Sequence, residues 1–192
     1  MGTLRVGTIE TQNLKYDSDT TGMTIASDGY VHRAGGYVHK TAAEVESASN
    51  IIALGTTSAR KITLVTNELM TSGNVQIGIR VGNAGGILAT SIYEYHSWYH
   101  ASNTPTLADD KSGDTELAFD AWASTGNKMN YHIEFARCGD HWIVTGNSFN
   151  SESGNMMALN GRINNVGNIQ SISIFPASGT LSSGDVAIHW ES

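Results

Sequence analysis

Apolar and polar residues alternate along many short segments of this chain. The two-residue period is clearest in residues 75–81, 129–135, 172–174 and 186–190. Because successive side chains of a strand point to opposite faces, each segment predicts a β-strand with one buried face. Further strands are predicted at residues 45–54, 60–68, 87–99, 142–145 and 157–163. Many strands at this spacing predict an antiparallel β-sandwich or a β-barrel.

The segments between the predicted strands have the composition of turns. Glycine accounts for 21 of the 192 residues and proline for only 2, and glycine readily supplies the positive φ angles of tight turns. The polar residues 100–116 predict a long loop. Residues 40–48 predict a strand, with a short helix as the alternative, and no longer segment has the period of a helix.

The length of the apolar segments changes near residue 45. Residues 1–45 contain very short apolar pieces broken by polar turns, and the tetrapeptide Gly-Tyr-Val-His occurs at 29–32 and again at 36–39. Strands this short bury too little surface to fold alone, so they need partner strands. We therefore predict an N-terminal attachment and oligomerisation arm at residues 1–45 and a β-sandwich domain at residues 46–192.

The charge and the cysteine content narrow the choice of partners. Nucleic acids and anionic membranes bind basic patches, so the formal net charge of −7 predicts neither as a partner. No segment approaches the roughly 18 apolar residues of a membrane span, and residues 1–10 lack the apolar run of a signal peptide. The lone Cys138 excludes an intrachain disulfide and agrees with assembly in a reducing cytosol.

The last third of the chain has a recognisable order of strands and turns. Residues 168–188 run from an apolar strand through two Ser-Gly turns to a final strand. This order resembles the closing hairpin of tail-fibre-like and minor virion structural proteins of tailed phages. Residues 1–11 and 22–29 resemble the opening of such proteins from cyanobacterial and marine phages. Residues 47–54 and 75–81 resemble their first strand and second hairpin.

This resemblance covers most of the chain and implies a fold and an assembly. It implies a jelly-roll-like β-sandwich, a particle-attached N-terminal arm and trimerisation. The expected function is that of a short homotrimeric tail-fibre-like virion protein, which is assembled in the host cytoplasm and displayed on the particle surface. It would contact other virion proteins through residues 1–45 and host polysaccharide through the sandwich. Two alternatives stay open, namely a capsid decoration protein that stabilises the phage head and a lectin-like carbohydrate-binding module.

Aromatic residues are the best candidates for ligand contact. Tyr93, Tyr95, Trp98 and Tyr99 cluster ahead of the predicted polar loop. Sugar rings stack on aromatic side chains, and this cluster is the candidate ligand-binding site. The competing interpretation is packing in the core or between subunits, because aromatic side chains bury a large apolar area.

Other residue patterns predict neither a metal site nor catalysis. His96 and His100 lie four residues apart, but a zinc site would need a further ligand such as His132 or His141 from another strand. The acidic residues 109–116 and the pair Asp17 and Asp19 lack the ligand spacing of a calcium loop. No G-x-S-x-G nucleophile motif is present. We therefore predict no metal, no cofactor and no enzymatic activity.

Overall fold

The computed structural model of the chain is built almost entirely of antiparallel strands. It describes residues 13–15, 21–25, 31–33, 37–54, 59–101, 104–123 and 127–191. The short N-terminal strands are β1 (Asn13–Lys15), β2 (Thr21–Ile25), β3 (Val31–Arg33) and β4 (Tyr37–Lys40), followed by helix α1 (Ala42–Val45). The next strands are β5 (Ile51–Leu54), β6 (Lys61–Thr71), β7 (Val75–Asn83), β8 (Gly86–Ile87), β9 (Tyr93–Ala101), β10 (Thr104–Asp114) and β11 (Leu117–Ala123). The last are β12 (Met129–Cys138), β13 (His141–Asn150), β14 (Met156–Ile163), β15 (Ser171–Pro176) and β16 (Leu181–Glu191).

Two large antiparallel sheets form the sandwich. The eight-stranded sheet has the order β10-β9-β14-β13-β12-β6-β16-β4. The second sheet has the order β11-β7-β15-β5, with β8 paired to β7. Strands β1, β2 and β3 make a separate antiparallel sheet. The all-β antiparallel sandwich expected from the sequence is confirmed, while its jelly-roll connectivity stays a prediction.

The inner faces of the two large sheets enclose one apolar core. The four segments with the clearest alternation supply many of its buried side chains: Ile77, Ile79, Val81, Met129, Tyr131, Ile133, Phe135, Ile172, Ile174, Val186, Ile188 and Trp190. Full burial of each large aliphatic side chain contributes roughly 1.5–3 kcal/mol. The alternating pattern therefore identified these core positions correctly.

Residues 42–45 form a helical turn, so the strand predicted for residues 40–48 is wrong and the alternative is confirmed. The backbone N–H groups of Glu44 and Val45 donate to the Thr41 carbonyl at 2.9 and 3.1 Å. The Glu44 carboxylate in turn accepts the Thr41 backbone N–H at 3.0 Å. This reciprocal capping satisfies donors at the start of the helix and favours a turn over an extended strand. Val45 is thereby placed in the core.

The predicted loop at residues 100–116 is wrong, because most of this segment is strand β10. Its backbone pairs with β9 from the Thr104–Ala101 pair to the Asp114–Tyr93 pair, with two irregularities in register. β10 lies at the edge of the eight-stranded sheet. Edge strands commonly carry polar residues and bulges, which block further strand pairing, so apolar alternation does not reveal them.

The boundary predicted at residue 45 falls inside the sandwich. β4 pairs with β16 through His39–Ala187 and Val38–Ile188, and Val45 belongs to the core. The described parts of the two Gly-Tyr-Val-His copies lie in different sheets, with Val31 and His32 in β3 and residues 37–39 in β4. Among the described residues, no helix is long and apolar enough to cross a membrane.

Candidate functional site

The candidate site lies on the outer face of the eight-stranded sheet. This face is formed by the side chains of β6, β9, β12, β13 and β14 that point away from the core. In β13 the burial alternates strictly, with Trp142 and Val144 inside and Ile143 and Thr145 outside. The same two-residue period along β9 separates the four aromatic residues that the sequence placed in one cluster.

Tyr93 and Tyr95 are core residues in this fold. They are 0% and 2% exposed, and the Tyr93 hydroxyl accepts the Val81 N–H at 3.0 Å and donates to the Leu88 carbonyl at 2.8 Å. A ligand therefore cannot reach either ring without opening the sandwich. For these two residues the structure favours the core-packing interpretation.

Trp98 and Tyr99 are more accessible, but they lie on opposite faces of β9. Trp98 is 40% exposed on the outer face. Tyr99 packs against the core and its hydroxyl accepts the Asn155 side-chain N–H at 2.7 Å. Of the four predicted residues, Trp98 alone presents its ring to solvent on the outer face. Whether it binds a ligand stays a prediction.

Two further apolar side chains lie near Trp98 on the outer face. Phe149 is 43% exposed and Met156 is 52% exposed. They occupy opposite positions of the paired strands β13 and β14. Ala158, two residues after Met156, lies opposite Trp98. Side chains at directly opposite and diagonal positions of neighbouring strands are within reach of one another. We call Trp98, Phe149 and Met156 the outer-face apolar patch.

A shallow depression of about 420 Å³ lies beside this patch. It is lined mainly by outward-facing residues, namely Glu94, His96, Asp110, Lys111, Ser112, Ile143 and Arg162, together with Gly161 and the nearly buried Tyr95 beneath them. We call it the Glu94 depression. Its connection to the patch is His96, whose ring lies 6.1 Å from that of Trp98. One continuous surface therefore combines an exposed indole ring with polar side chains.

A hydrogen-bonded network orders one wall of the Glu94 depression. The Arg162 Nε donates to Glu94 at 2.7 Å, and the Asn164 amide donates to the other Glu94 oxygen at 2.8 Å. The Asn164 side-chain oxygen lies 3.1 Å from His141 Nδ1. The hydrogen bond from Arg162 holds the pKa of the Glu94 carboxyl below its usual value. Glu94 is therefore an anchored, ionised carboxylate at neutral pH.

The opposite wall carries a second pair of polar groups. His96 Nδ1 lies 3.3 Å from an Asp110 carboxylate oxygen, and both side chains are more than half exposed. This pair lies across β9 and the edge strand β10. The depression thus offers carboxylate oxygens, a guanidinium group and an imidazole ring, which together can donate and accept hydrogen bonds.

The described residues hold no cluster that could bind a metal ion. No group of three or more His, Cys, Asp or Glu side chains comes together within that part of the chain. His96 and His100 are both exposed on β9, and His132 is exposed on β12. Asp17 and Asp19 lie outside the described residues. Cys138 is an exposed free thiol at the end of β12.

Sequence reasoning missed most of the residues of this site. Glu94 and Arg162 are separated by 68 positions and become partners only through the pairing of β9 with β14. Phe149 carries a weak signal, since it is an aromatic residue at a position that alternation assigns to solvent. Neither a scan of protein-family models nor a search of curated proteins finds a match to this chain.

Proposed function

We propose that this protein is a non-enzymatic virion surface component of the tail-fibre-like type, whose sandwich binds carbohydrate through its outer face. The observation that carries the proposal is the exposed Trp98 ring beside the polar Glu94 depression. Sugars present apolar C–H faces and a rim of hydroxyl groups. An exposed indole next to ordered hydrogen-bonding groups matches both features.

The electrostatics of the depression favour a neutral polyhydroxylated ligand. The Arg162 guanidinium is paired with the Glu94 carboxylate, and His96 lies beside Asp110. Each charged group that is paired in this way keeps other lone pairs or N–H groups for hydroxyl groups of a ligand. Because the pairs pre-orient these groups, less rotamer freedom is lost when a ligand binds.

The state of Glu94 supports binding rather than catalysis. In a glycosidase, the general acid needs a raised pKa so that it holds a proton near neutral pH. The hydrogen bond from Arg162 instead lowers the pKa of Glu94. We therefore propose that Glu94 accepts hydrogen bonds from sugar hydroxyls and transfers no proton.

The proposed place on the particle rests on the N-terminal part of the chain. Residues 1–11 and 22–29 have the resemblance to phage fibre proteins described above. Strands β1, β2 and β3 have at most five residues each. Strands this short gain stability by pairing with strands of sister chains or of an adjoining virion protein. We propose that this segment attaches the protein to the particle and supports a homotrimer.

A second candidate function is favoured by Phe149 and Met156. Both are about half exposed at opposite positions of β13 and β14, and monomeric surfaces seldom leave large apolar side chains together. The same face could be a contact between subunits of a capsid decoration protein. In that case the outer face would be covered by a second copy of this chain rather than by a glycan.

The carbohydrate proposal is tested by titrating the protein with oligosaccharides from host-surface polysaccharide in a calorimeter. We expect Trp98→Ala to weaken binding about tenfold or more, since a stacked aromatic ring contributes on the order of 1.4 kcal/mol. The control is Val65→Ala, which removes an exposed apolar side chain from the same face on β6. Equal affinity of Trp98→Ala and the wild type would overturn the proposal.

The particle assignment is tested by immunogold labelling of intact virions. Labels at the tail tip would support the fibre-like role, and labels spread over the head would support the decoration role. Intact, purified virions that carry no label, while the free protein is stained, would contradict both.

A further inference from the structure

Two arginine residues face each other at one end of the sandwich. Ala136 on β12 pairs with Lys61 on β6, so the next pair in this antiparallel register is Arg137 with Arg60. The Arg137 backbone N–H donates to the Arg60 carbonyl at 2.8 Å, which continues the ladder. Residues directly opposite in such a pair have Cβ atoms roughly 4.5–5.5 Å apart and project to the same face.

These two guanidinium groups differ from several other cations of the described residues. Basic side chains that lie within 4 Å of a carboxylate include Lys40, Lys61, Arg80, Lys128 and Arg162. Arg60 and Arg137 have no carboxylate partner in the part of the chain that the structure describes. The two arginines therefore form a local excess of positive charge in a protein of net charge −7. Like charges directly opposite each other on paired strands repel and are destabilising.

The Arg137 side chain is held in position by neutral acceptors. Its Nε donates to the Gly139 carbonyl at 2.9 Å, and its Nη1 donates to the Asn168 side-chain oxygen. These bonds leave N–H groups on the second terminal nitrogen. Arg60, Arg137 and Gly139 line a depression of about 380 Å³. The acidic residues nearest to Arg137 along the chain are Glu134, which pairs with Lys61, and Asp140 in the following turn. Within the described residues neither forms an ion pair with Arg60 or Arg137.

We propose that Arg60 and Arg137 form a binding site for a tetrahedral oxyanion, namely a phosphate or sulfate group. Planar guanidinium groups donate two parallel hydrogen bonds to such oxygens. An anion between the two side chains would also replace their mutual repulsion by attraction. The site lies on the inner-face side of β6 and β12, whereas the Glu94 depression lies on the outer face. It is therefore independent of the proposed carbohydrate site.

The site is tested by titrating the full-length protein with inorganic phosphate at constant ionic strength and following amide chemical shifts. We expect saturable shifts around residues 60 and 137–139, and at least tenfold weaker binding in Arg60→Gln and Arg137→Gln. The control is Lys128→Gln, which removes the same charge at a distant ion pair. Equal weakening by the control would show a general charge effect and would overturn the site.

Arg60→Gln keeps the proposal testable if Arg137→Gln folds poorly. The Arg60 guanidinium forms no hydrogen bond within the described part of the chain, so its loss removes only repulsion. Without phosphate we expect the melting temperature of this variant to equal or exceed that of the wild type. With phosphate the wild type should gain several degrees while the variant gains none. A variant that gains as much as the wild type would contradict the proposal.

A second titration separates the two sources of such a group. Tenfold tighter binding of a sulfated or phosphorylated oligosaccharide than of the inorganic ions would assign the group to a glycan ester. Equal binding would assign the site to the free ion, and both results support it. Failure of the inorganic ions and the esters alike to bind at tens of millimolar would overturn it.

Discussion

The Tyr93 hydroxyl, on the inner face of β9, accepts one hydrogen bond from the backbone and donates another to it. Burial raises its pKa to about 12, although the hydrogen bond from the Val81 N–H acts in the opposite direction. An unfolded tyrosine ionises near pH 10. The folded state therefore holds its proton to higher pH, and the stabilisation is complete below about pH 10 and is lost as the pH rises towards 12.

We predict that the free energy of unfolding falls steeply above pH 10 and that Tyr93→Phe reduces this slope. At pH 7 the same substitution should cost roughly 1–3 kcal/mol, because the buried Val81 N–H loses its acceptor. Urea unfolding at pH 7, 10 and 11.5 measures both effects. Tyr99→Phe, which removes a hydroxyl from a half-buried position, is the control at pH 7 and should cost less. An unchanged alkaline slope in Tyr93→Phe would contradict this assignment.

Two kinds of interaction shape the elements α1 and β4, namely a local capping interaction and contacts with the distant strand β16. The Thr41–Glu44 capping interaction favours a helical turn immediately after β4. The Glu44 carboxylate also accepts a hydrogen bond from Lys40 at 2.8 Å, and this bond is the main reason why its pKa is lowered to about 2. The Ala42 N–H donates to Asp185 at 3.0 Å, which ties the turn to β16. The end of the predicted arm is therefore part of the sandwich.

We predict that the sandwich tolerates removal of residues 1–36 but not of residues 1–40. The shorter deletion keeps β4, which covers the edge of β16. The longer one exposes the unpaired backbone of β16, so it should cost a few kcal/mol and promote aggregation. Circular dichroism with urea unfolding measures the difference. Equal stability of the two truncated proteins would show that β4 contributes nothing to the sheet.

The same truncation tests the proposed attachment role. Residues 37–192 should stay folded yet fail to join particles that lack the protein. The full-length chain, added in parallel, is the control for competent particles. Equal incorporation of both forms would move the attachment surface onto the sandwich.

The outer face of the eight-stranded sheet is the proposed contact surface for both a glycan and a neighbouring subunit. It carries both the outer-face apolar patch and the Glu94 depression, so a glycan and a neighbouring subunit could compete for it. We predict a homotrimer at micromolar concentration. If the patch is the subunit contact, Phe149→Ser combined with Met156→Ser should shift the protein to a monomer in sedimentation velocity.

Val65→Ser is the matched control for that experiment, since Val65 is 41% exposed on the same face. A trimer that persists in the double variant would place the contact elsewhere, with the N-terminal strands as the next candidate. A wild-type protein that sediments as a monomer would contradict self-trimerisation. Trp98→Ala should leave the sedimentation unchanged if its role is in glycan binding.

Apolar alternation along the chain predicts many strands of the core and the residues that fill it. Ile77, Ile133 and Ile188 could be assigned to the interior because the side-chain period of a strand follows from backbone geometry alone. The same period along β9 places Tyr93 and Tyr95 on the inner face and Trp98 on the outer face. Nearness along a strand therefore does not bring side chains to one site.

Contacts between outward-facing residues depend on how the strands pair in the folded protein. The polar edge strand β10 has no alternating signal, because its pairing with β9 depends on backbone hydrogen bonds rather than on apolar burial. Glu94 meets Arg162, and Arg60 faces Arg137, through the register between strands that are distant along the chain. That register arises from packing of the whole core, and a shift of one residue would turn every one of these side chains to the other face.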